Sequence, residues 1–291
     1  MATASDWVEG ARLRTLPAAL APVLAGSAIA GHEGSFVPGR ALLALVVALA
    51  LQVGVNYAND YSDGVRGTDA DRVGPMRLVG SGAASPRAVK AAAFASFGVA
   101  ALAGLALVVV TAQWWLLAVG VACILAAWYY TGGRRPYGYA GLGEVFVFVF
   151  FGLVAVVGTT FVQTLTAPPA SIAAGVFAGA LASAVLVANN LRDRAGDEVA
   201  GKRTLAVRLG DQGTRMLYAG LIALGGVAVV AVAALTSWWL LLGLLGFALA
   251  LAPLRAVLGG AQGRALIVAL KWTGLAELAA AAGLALGAVI G

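Results

Sequence analysis

The feature that most constrains this chain is a succession of long apolar runs separated by short polar loops. A helix needs about 20 mostly apolar residues to cross a hydrocarbon core of about 30 Å. Of the 291 residues, 61% are hydrophobic and 11% are charged, whereas a soluble domain has about 45–50% and about 25%. We therefore predict one all-α integral membrane domain, residues 1–291, with nine transmembrane helices. The predicted spans are 13–29, 41–57, 91–111, 114–130, 143–163, 172–190, 216–235, 238–253 and 267–290.

The basic residues indicate how these spans are oriented. With the N-terminus in the cytoplasm and nine alternating spans, 18 of the 19 Lys and Arg residues fall on the cytoplasmic side, and Arg40 alone falls on the other. This asymmetry is the positive-inside pattern of membrane proteins. It accounts for the net charge of +6 without a nucleic-acid partner. We predict a multi-pass protein of a bacterial inner (plasma) membrane, with its charged loops in the cytoplasm.

Two of these loops repeat one pattern, in which Asn-x-x-x-Asp is followed by another Asp three or four residues later. Side chains at such spacings share one face of a helix. Stacked carboxylates repel each other unless a cation lies between them. Mg²⁺ prefers oxygen ligands and is usually shared between carboxylates and substrate phosphates, so the loops predict a site for Mg²⁺ and diphosphate. The pattern comprises Asn56, Asp60 and Asp63 in the first loop, and Asn189, Asp193 and Asp197 in the second.

A third loop on the same predicted side, residues 129–144, is rich in Gly, Tyr and Arg. One interpretation is a simple basic turn of the positive-inside kind. The other is a flexible basic cap over the phosphates, in which aromatic rings face a hydrophobic pocket. Aromatic faces attract cations, so these tyrosines could stabilise a carbocation.

These motifs resemble those of the UbiA superfamily of intramembrane aromatic prenyltransferases, a family with nine transmembrane helices. The matching segments are Asn59-Asp60-x-x-Asp63 and Asp193-x-x-x-Asp197. Many members carry a further Asp four residues after the first motif, where this chain has Gly67, and Asp69 is the nearest candidate. Segments 59–82, 129–152 and 189–210 are similar to the 1,4-dihydroxy-2-naphthoate polyprenyltransferases of menaquinone biosynthesis.

The resemblance implies an enzyme that transfers a polyprenyl group from polyprenyl diphosphate to dihydroxynaphthoate, with loss of CO₂, to give demethylmenaquinone. Mg²⁺ is the implied cofactor, and membrane lipid surrounds the prenyl tail. The implied catalytic residues are Asp60, Asp63, Asp193 and Asp197, which with Asp69 are also the implied metal ligands. The implied substrate-binding residues are Asn56, Asn59, Arg66, Tyr130, Arg134, Arg135, Asn189, Lys202 and Arg203.

Three alternatives remain open at this stage. The chain could prenylate another aromatic acceptor. It could be a CDP-alcohol phosphotransferase, although Asp63-Gly64 lacks the Ala-Arg and the spaced Gly and Asp residues of that signature. It could also be a transporter, although transporters place ionisable groups near the midplane of the membrane, and here most charges cluster in loops.

Overall fold

The structure is a computed structural model that describes residues 2–67 and 76–291. The predicted metal ligand Asp69 lies outside the described residues. The described parts are helical and contain no strand, which confirms the predicted all-α class. The helices are α1 Ala4–Gly10, α2 Pro17–His32, α3 Pro38–Arg66, α4 Pro86–Thr111, α5 Leu116–Tyr129, α6 Gly143–Thr164, α7 Pro169–Val199, α8 Leu205–Leu235, α9 Trp238–Leu258 and α10 Arg264–Ile290.

Proline defines where several of these helices begin. Pro17, Pro38, Pro86 and Pro169 each lie in the first turn of a long helix. The first backbone N–H groups of a helix have no partner within it, so the missing N–H of proline costs nothing at that position. At the other end, α3 is followed by Gly67 at φ +71°, a left-handed conformation that glycine adopts without strain.

Seven of the described helices are long and apolar enough to span a membrane, and α1 with α2, bent by 48°, gives an eighth. The prediction of nine spans is therefore close, and the difference lies at α5, which has 14 residues. The connections at both ends of the bundle show its path. At one end Arg40 donates to the carbonyls of Val110 and Val162. At the other end Arg66, the last residue of α3, donates to the carbonyl of Gly133, which follows α5. α4 and α5 therefore each run from one end of the bundle to the other.

Close packing in the bundle depends on small residues. In α7, 72% of the most apolar stretch is buried, more than in any other described span. Where α6 crosses α7, a Cβ added to Gly152 would lie 2.5 Å from the Cα of Gly179. Only glycine allows two helix backbones to approach this closely, as is common between membrane helices.

Exposed tryptophans mark the Arg40 end of the bundle. Trp114 and Trp115 precede α5, Trp238 and Trp239 begin α9, and all four are exposed. Tryptophan concentrates at the boundary between hydrocarbon and headgroups. This end therefore lies at one membrane surface, and the ends of α3, α5 and α7 lie toward the other.

Candidate active site

Asp60 is completely buried near the end of α3. Its two carboxylate oxygens accept hydrogen bonds from the backbone N–H groups of Leu78 (2.8 Å) and Val79 (2.9 Å). Hydrogen bonds to a carboxylate are charge-assisted and therefore strong. Asp60 thus fixes the segment that follows the first acidic loop against the end of α3.

Asp63, one turn further along, gathers donors from three parts of the chain. The Tyr139 hydroxyl donates to its Oδ1 atom. The Lys202 ammonium lies 3.5 Å from the same oxygen, and Arg77 lies 3.9 Å from Oδ2. Asp63 itself is only 5% exposed. Its charge is therefore largely shielded from water and is surrounded by these donors.

Lys202 joins the two acidic loops. Its ammonium lies between the carboxylates of Asp63 (3.5 Å) and Asp197 (3.8 Å) and 4.6 Å from the centre of the Tyr139 ring. The predicted meeting of the two loops therefore occurs, and the group between them is a cation. Hard oxygen ligands converging on a cationic position suit Mg²⁺, so Asp63 and Asp197 fit a metal site. Within the described residues, no group of three acidic, His or Cys side chains is close enough to hold a metal alone.

Asp193 has a different environment from Asp197. Arg192 donates to both of its carboxylate oxygens, at 2.6 and 2.7 Å, and also to Asn189 Oδ1 at 2.9 Å. This two-pronged pairing matches the planar guanidinium to the carboxylate. Arg192 was missed in the sequence interpretation. Its position next to Asp193 and three residues after Asn189 was the available signal.

Arg66 and Asn59 position the third loop. Arg66 donates to the carbonyl oxygens of Thr131 and Gly133, and its guanidinium lies 5.4 Å from the centre of the Tyr139 ring. Asn59 Oδ1 accepts a hydrogen bond from the Thr131 hydroxyl at 2.8 Å. Both residues were predicted to bind substrate, and both hold the loop that carries Tyr139.

The remaining predicted basic residues lie at the periphery. Arg134 and Arg135 are exposed and line a separate surface recess. Arg203 is also exposed, although its backbone N–H donates to the Tyr139 carbonyl at 2.9 Å. Within the described parts of the chain, none of these three side chains forms a hydrogen bond or ion pair with an aspartate.

An apolar cavity of about 440 Å³ begins beside the acidic loops and extends between α2, α3, α4, α5 and α6. Asn56, Asn59 and Tyr130 line its polar end, and Leu116 and Val162 line its far end. An empty apolar cavity of this size is destabilising, because the side chains that line it lose packing contacts. Its shape fits a long apolar ligand with a polar head.

The cavity also reaches the lipid-facing surface between α4 and α5. Leu105, Leu117 and Val121 line it and are 45%, 44% and 57% exposed. An apolar molecule in the bilayer therefore has a route to the cavity that does not pass through water.

The chain is similar to known proteins over nearly its whole length. Residues 19–288 match the UbiA prenyltransferase family. The chain belongs to that family. The 1,4-dihydroxy-2-naphthoate octaprenyltransferase of Mycobacterium tuberculosis is 56% identical over 278 residues, which cover 96% of this chain and 94% of that protein. Family membership favours the predicted prenyltransferase over the phosphotransferase and transporter alternatives.

Two solved structures share the UbiA fold. The apo structure of a UbiA homolog from Aeropyrum pernix K1 superposes with a TM-score of 0.69 at 15% identity, covering 94% of this chain and 97% of that chain. A homolog from Archaeoglobus fulgidus bound to GPP and Mg²⁺ gives 0.62 at 15% identity, covering 94% and 99%. The family's fold thus extends over nearly the whole chain.

The third loop carries three tyrosines that line the cavity or contact Asp63. Burial raises the pKa of Tyr137 and Tyr139, and the neighbouring carboxylate of Asp63 raises that of Tyr139 further. Both therefore stay protonated at neutral pH. The Tyr137 ring stacks on Phe146 with ring centres 4.0 Å apart, which forms an aromatic wall along the cavity.

Asn56 serves the site indirectly. Its Nδ2 atom donates to the Ala11 carbonyl and to the Thr15 hydroxyl, both at 2.9 Å. These bonds hold the segment between α1 and α2 against α3. Asn56 also lines the cavity, so its predicted role in substrate binding stays a prediction.

Proposed function

We propose that this protein transfers a polyprenyl group from polyprenyl diphosphate to 1,4-dihydroxy-2-naphthoate, with release of diphosphate and CO₂, to give the quinol (reduced) form of demethylmenaquinone. The observation that carries the proposal is the apolar cavity that opens to lipid at its side and ends at two charged loops. A prenyl diphosphate has the same polarity, since its tail is apolar and its head is anionic. The choice of acceptor rests on the 56% identity to the mycobacterial enzyme.

The diphosphate head is proposed to bind where the acidic loops meet. Asp63 and Asp197 would hold Mg²⁺, with Asp60 and Asp193 supporting the two loops. When bound, Mg²⁺ neutralises the charge that develops on the leaving diphosphate. Lys202 and Arg77 lie at the same carboxylates and can donate charge-assisted hydrogen bonds to phosphate oxygens. The exposed Arg134, Arg135 and Arg203 add a positive field that attracts the anion.

The aromatic wall next to the loops is proposed to protect the allyl cation. Tyr130, Tyr137 and Phe146 line the cavity close to its polar end. Their faces stabilise positive charge, and the surrounding apolar side chains exclude the water that would otherwise capture the cation. The cation is then left to react with the electron-rich acceptor ring.

The proposed setting is a bacterial inner membrane with the charged loops in the cytoplasm. The basic residues lie at the loop end of the bundle, and Arg40 lies at the tryptophan-rich end. Positive residues remain on the cytoplasmic side. This orientation places the diphosphate head in the compartment that supplies water-soluble substrates.

An acceptor panel tests the proposal. Purified protein in detergent, given a polyprenyl diphosphate and Mg²⁺, should prenylate dihydroxynaphthoate with release of CO₂ and should leave 4-hydroxybenzoate unchanged. Exhaustive chelation should abolish turnover, and added Mg²⁺ should restore it. A clear preference for 4-hydroxybenzoate would contradict the acceptor assignment, and absence of any prenylated product would contradict the reaction.

A further inference from the structure

Two side chains of the cavity wall are oriented by a threonine that does not itself line the cavity. Thr15 lies between α1 and α2 and is partly buried. Its hydroxyl donates to the Arg12 carbonyl at 2.9 Å. The same oxygen accepts one hydrogen bond from Gln52 Nε2 and one from Asn56 Nδ2, both at 2.9 Å. Thr15 therefore holds two residues of α3 that both line the cavity.

The pattern of hydrogen bonds determines which way these two amides point. A hydroxyl has one hydrogen to donate, and that of Thr15 goes to Arg12, so each amide must turn its NH₂ group toward Thr15. Asn56 is held in the same sense by the bond from its Nδ2 atom to the Ala11 carbonyl at 2.9 Å. Its Oδ1 atom accepts the second N–H of Gln52 at 3.4 Å. The Gln52 amide therefore uses both of its hydrogens, and its oxygen remains.

The oxygen of Gln52 is an acceptor without a donor. Gln52 is 6% exposed, and within the described residues its Oε1 atom is buried and receives no hydrogen bond. An unsatisfied buried acceptor is costly, and native proteins carry few of them. The terminal torsion of a glutamine is broad, so the amide can turn slightly toward a donor in the cavity and keep its bond to Thr15. The wall at Gln52 therefore suits a ligand that carries a hydroxyl.

Of the two proposed substrates, the aromatic acceptor is the one that can supply this donor. The tail of a prenyl diphosphate is a hydrocarbon, and its head presents acceptor oxygens to metal and basic groups. Dihydroxynaphthoate carries two hydroxyls. The hydroxyl beside the carboxylate donates to that carboxylate in a charge-assisted hydrogen bond. The hydroxyl on the far side of the ring is therefore the free donor.

The depth of Gln52 in the bundle agrees with this arrangement. Gln52 precedes Asn56 by four residues and Asp60 by eight, which places it about 12 Å along α3 from Asp60 at 1.5 Å per residue. It lies further from the charged loops than Asn56 and Asn59, which line the polar end of the cavity. An acceptor ring between the loops and Gln52 keeps its carboxylate toward the basic residues and its far hydroxyl toward Gln52.

We propose that Gln52 Oε1 accepts a hydrogen bond from the acceptor hydroxyl that lies away from the carboxylate, and that Thr15 is the positioning residue that orients the Gln52 amide. The inference rests on the proposed function and adds the residues that recognise the ring. A site with a buried polar group strongly rejects an analogue that lacks the matching hydroxyl. A naphthoate without the far hydroxyl should therefore bind more weakly.

Equilibrium binding of three naphthoates tests the inference without turnover. 2-Naphthoate has no hydroxyl, 4-hydroxy-2-naphthoate carries the far hydroxyl, and 1-hydroxy-2-naphthoate carries the one beside the carboxylate. Titration calorimetry on the wild-type protein in detergent gives the Kd of each. We expect 4-hydroxy-2-naphthoate to bind about 10-fold more tightly than 2-naphthoate, and 1-hydroxy-2-naphthoate to gain much less.

Four variants assign this gain to the two residues. Gln52→Met keeps the length of the side chain and removes its amide, and Thr15→Val keeps the shape and removes the hydroxyl. In both, the advantage of 4-hydroxy-2-naphthoate over 2-naphthoate should fall to nearly none, and in Thr15→Ser it should persist. Thr111→Val is the matched control, because Thr111 is buried, does not line the cavity, and donates its hydroxyl to the Leu107 carbonyl of its own helix. It should leave the advantage unchanged.

Several results would overturn the inference. Equal wild-type affinities for 4-hydroxy-2-naphthoate and 2-naphthoate would do so without any variant, so the test holds even if a variant fails to fold. An unchanged advantage in Gln52→Met would do so as well. An equal loss in Thr15→Val, Thr15→Ser and Thr111→Val would show a general effect of packing rather than orientation of the amide. Turnover of dihydroxynaphthoate by the wild type is measured separately and shows whether the proposed function itself stands.

Discussion

At the scale of single residues, Lys202 is notable because it occupies the position between two carboxylates. Two neighbouring carboxylates repel each other unless a cation lies between them. Lys202 lies between Asp63 and Asp197 and offsets that repulsion. The two acidic loops can therefore lie close together before substrate binds.

Replacing either of these carboxylates by an amide should nearly abolish turnover. In Asp63→Asn or Asp197→Asn the shape is kept and the negative charge is lost. We expect kcat to fall by about 10²–10³, as for loss of a single electrostatic contact in other enzymes. The measurement is turnover in detergent together with thermal melting, which should change little.

Asp211→Asn is the control for this experiment. Asp211 lies in α8, is 47% exposed and pairs with Arg215 at 2.6 Å. Arg215 is buried and also donates to the carbonyls of Val257 and Ala261, so the loss of Asp211 should lower the melting temperature while turnover stays near that of the wild type. Wild-type activity in both Asp63→Asn and Asp197→Asn would show that the loops are only solvated helix ends.

Tyr139→Phe should reveal the hydroxyl that donates to Asp63. Because burial and Asp63 both raise the pKa of Tyr139 above its usual 10.0, the phenol is protonated below that value and the bond is lost only as pH rises through it. We expect kcat/KM to be lower in the variant by about 10-fold, by the same factor from about pH 6 to about pH 9. Parallel pH profiles of both proteins check this, and a ratio that changes in this range would be inconsistent with it.

At the scale of elements, the third loop is held in place by close contacts. The backbone around Gly138 passes the carbonyl of Tyr130, and a Cβ at Gly138 would lie 2.6 Å from that oxygen. Gly138→Ala must therefore shift the loop that carries Tyr139. Displacements of about 1 Å can cost about 10²-fold in rate, so turnover should fall well below that of the wild type while the helices stay folded.

Gly98→Ala provides the matched comparison. Gly98 lies in α4, where an added Cβ meets nothing within 4 Å. Alanine is the better helix former, so turnover should be unchanged and the melting temperature the same or higher. Turnover in Gly138→Ala equal to that in Gly98→Ala would mean that the position of the loop does not matter.

How far the sequence predicts the elements depends on the kind of interaction. Apolar runs locate the helices well, since crossing the bilayer requires length and hydrophobicity. α5 was harder to predict, because a helix of 14 residues is shorter than the usual membrane span. The contacts at both ends of the bundle show that it runs the length of the bundle. The pattern shared by the two acidic loops also predicted that they meet, as they do around Lys202.

The sequence did not predict the separate roles of the individual site residues. Asp60 accepts its hydrogen bonds from Leu78 and Val79, and backbone donors leave no trace in residue identity. Asn59 and Arg66 hold the third loop rather than reaching the described aspartates. These hydrogen-bond partners are determined by how segments distant in sequence pack in the folded protein. Motif spacing does not encode that packing.

At the scale of the whole molecule, the two ends of the bundle should face opposite compartments. In a Cys123→Ala background, single cysteines at Ala140 and Glu198 report on the loop end, and one at Glu33 reports on the other end; all three positions are exposed. A membrane-impermeant maleimide should label Glu33→Cys in intact cells and the other two only after permeabilisation. Labelling of Ala140→Cys and Glu198→Cys from opposite sides would contradict the common loop face.

The opening between α4 and α5 changes what substrate concentration means for this protein. Moving one methylene from lipid into water costs about 0.8 kcal/mol, so drawing out a tail of several isoprene units would cost tens of kcal/mol. A side opening lined by Leu105, Leu117 and Val121 avoids that cost. The rate then depends on the mole fraction of prenyl diphosphate within the bilayer or micelle. Adding detergent at constant total substrate should therefore slow the reaction by surface dilution.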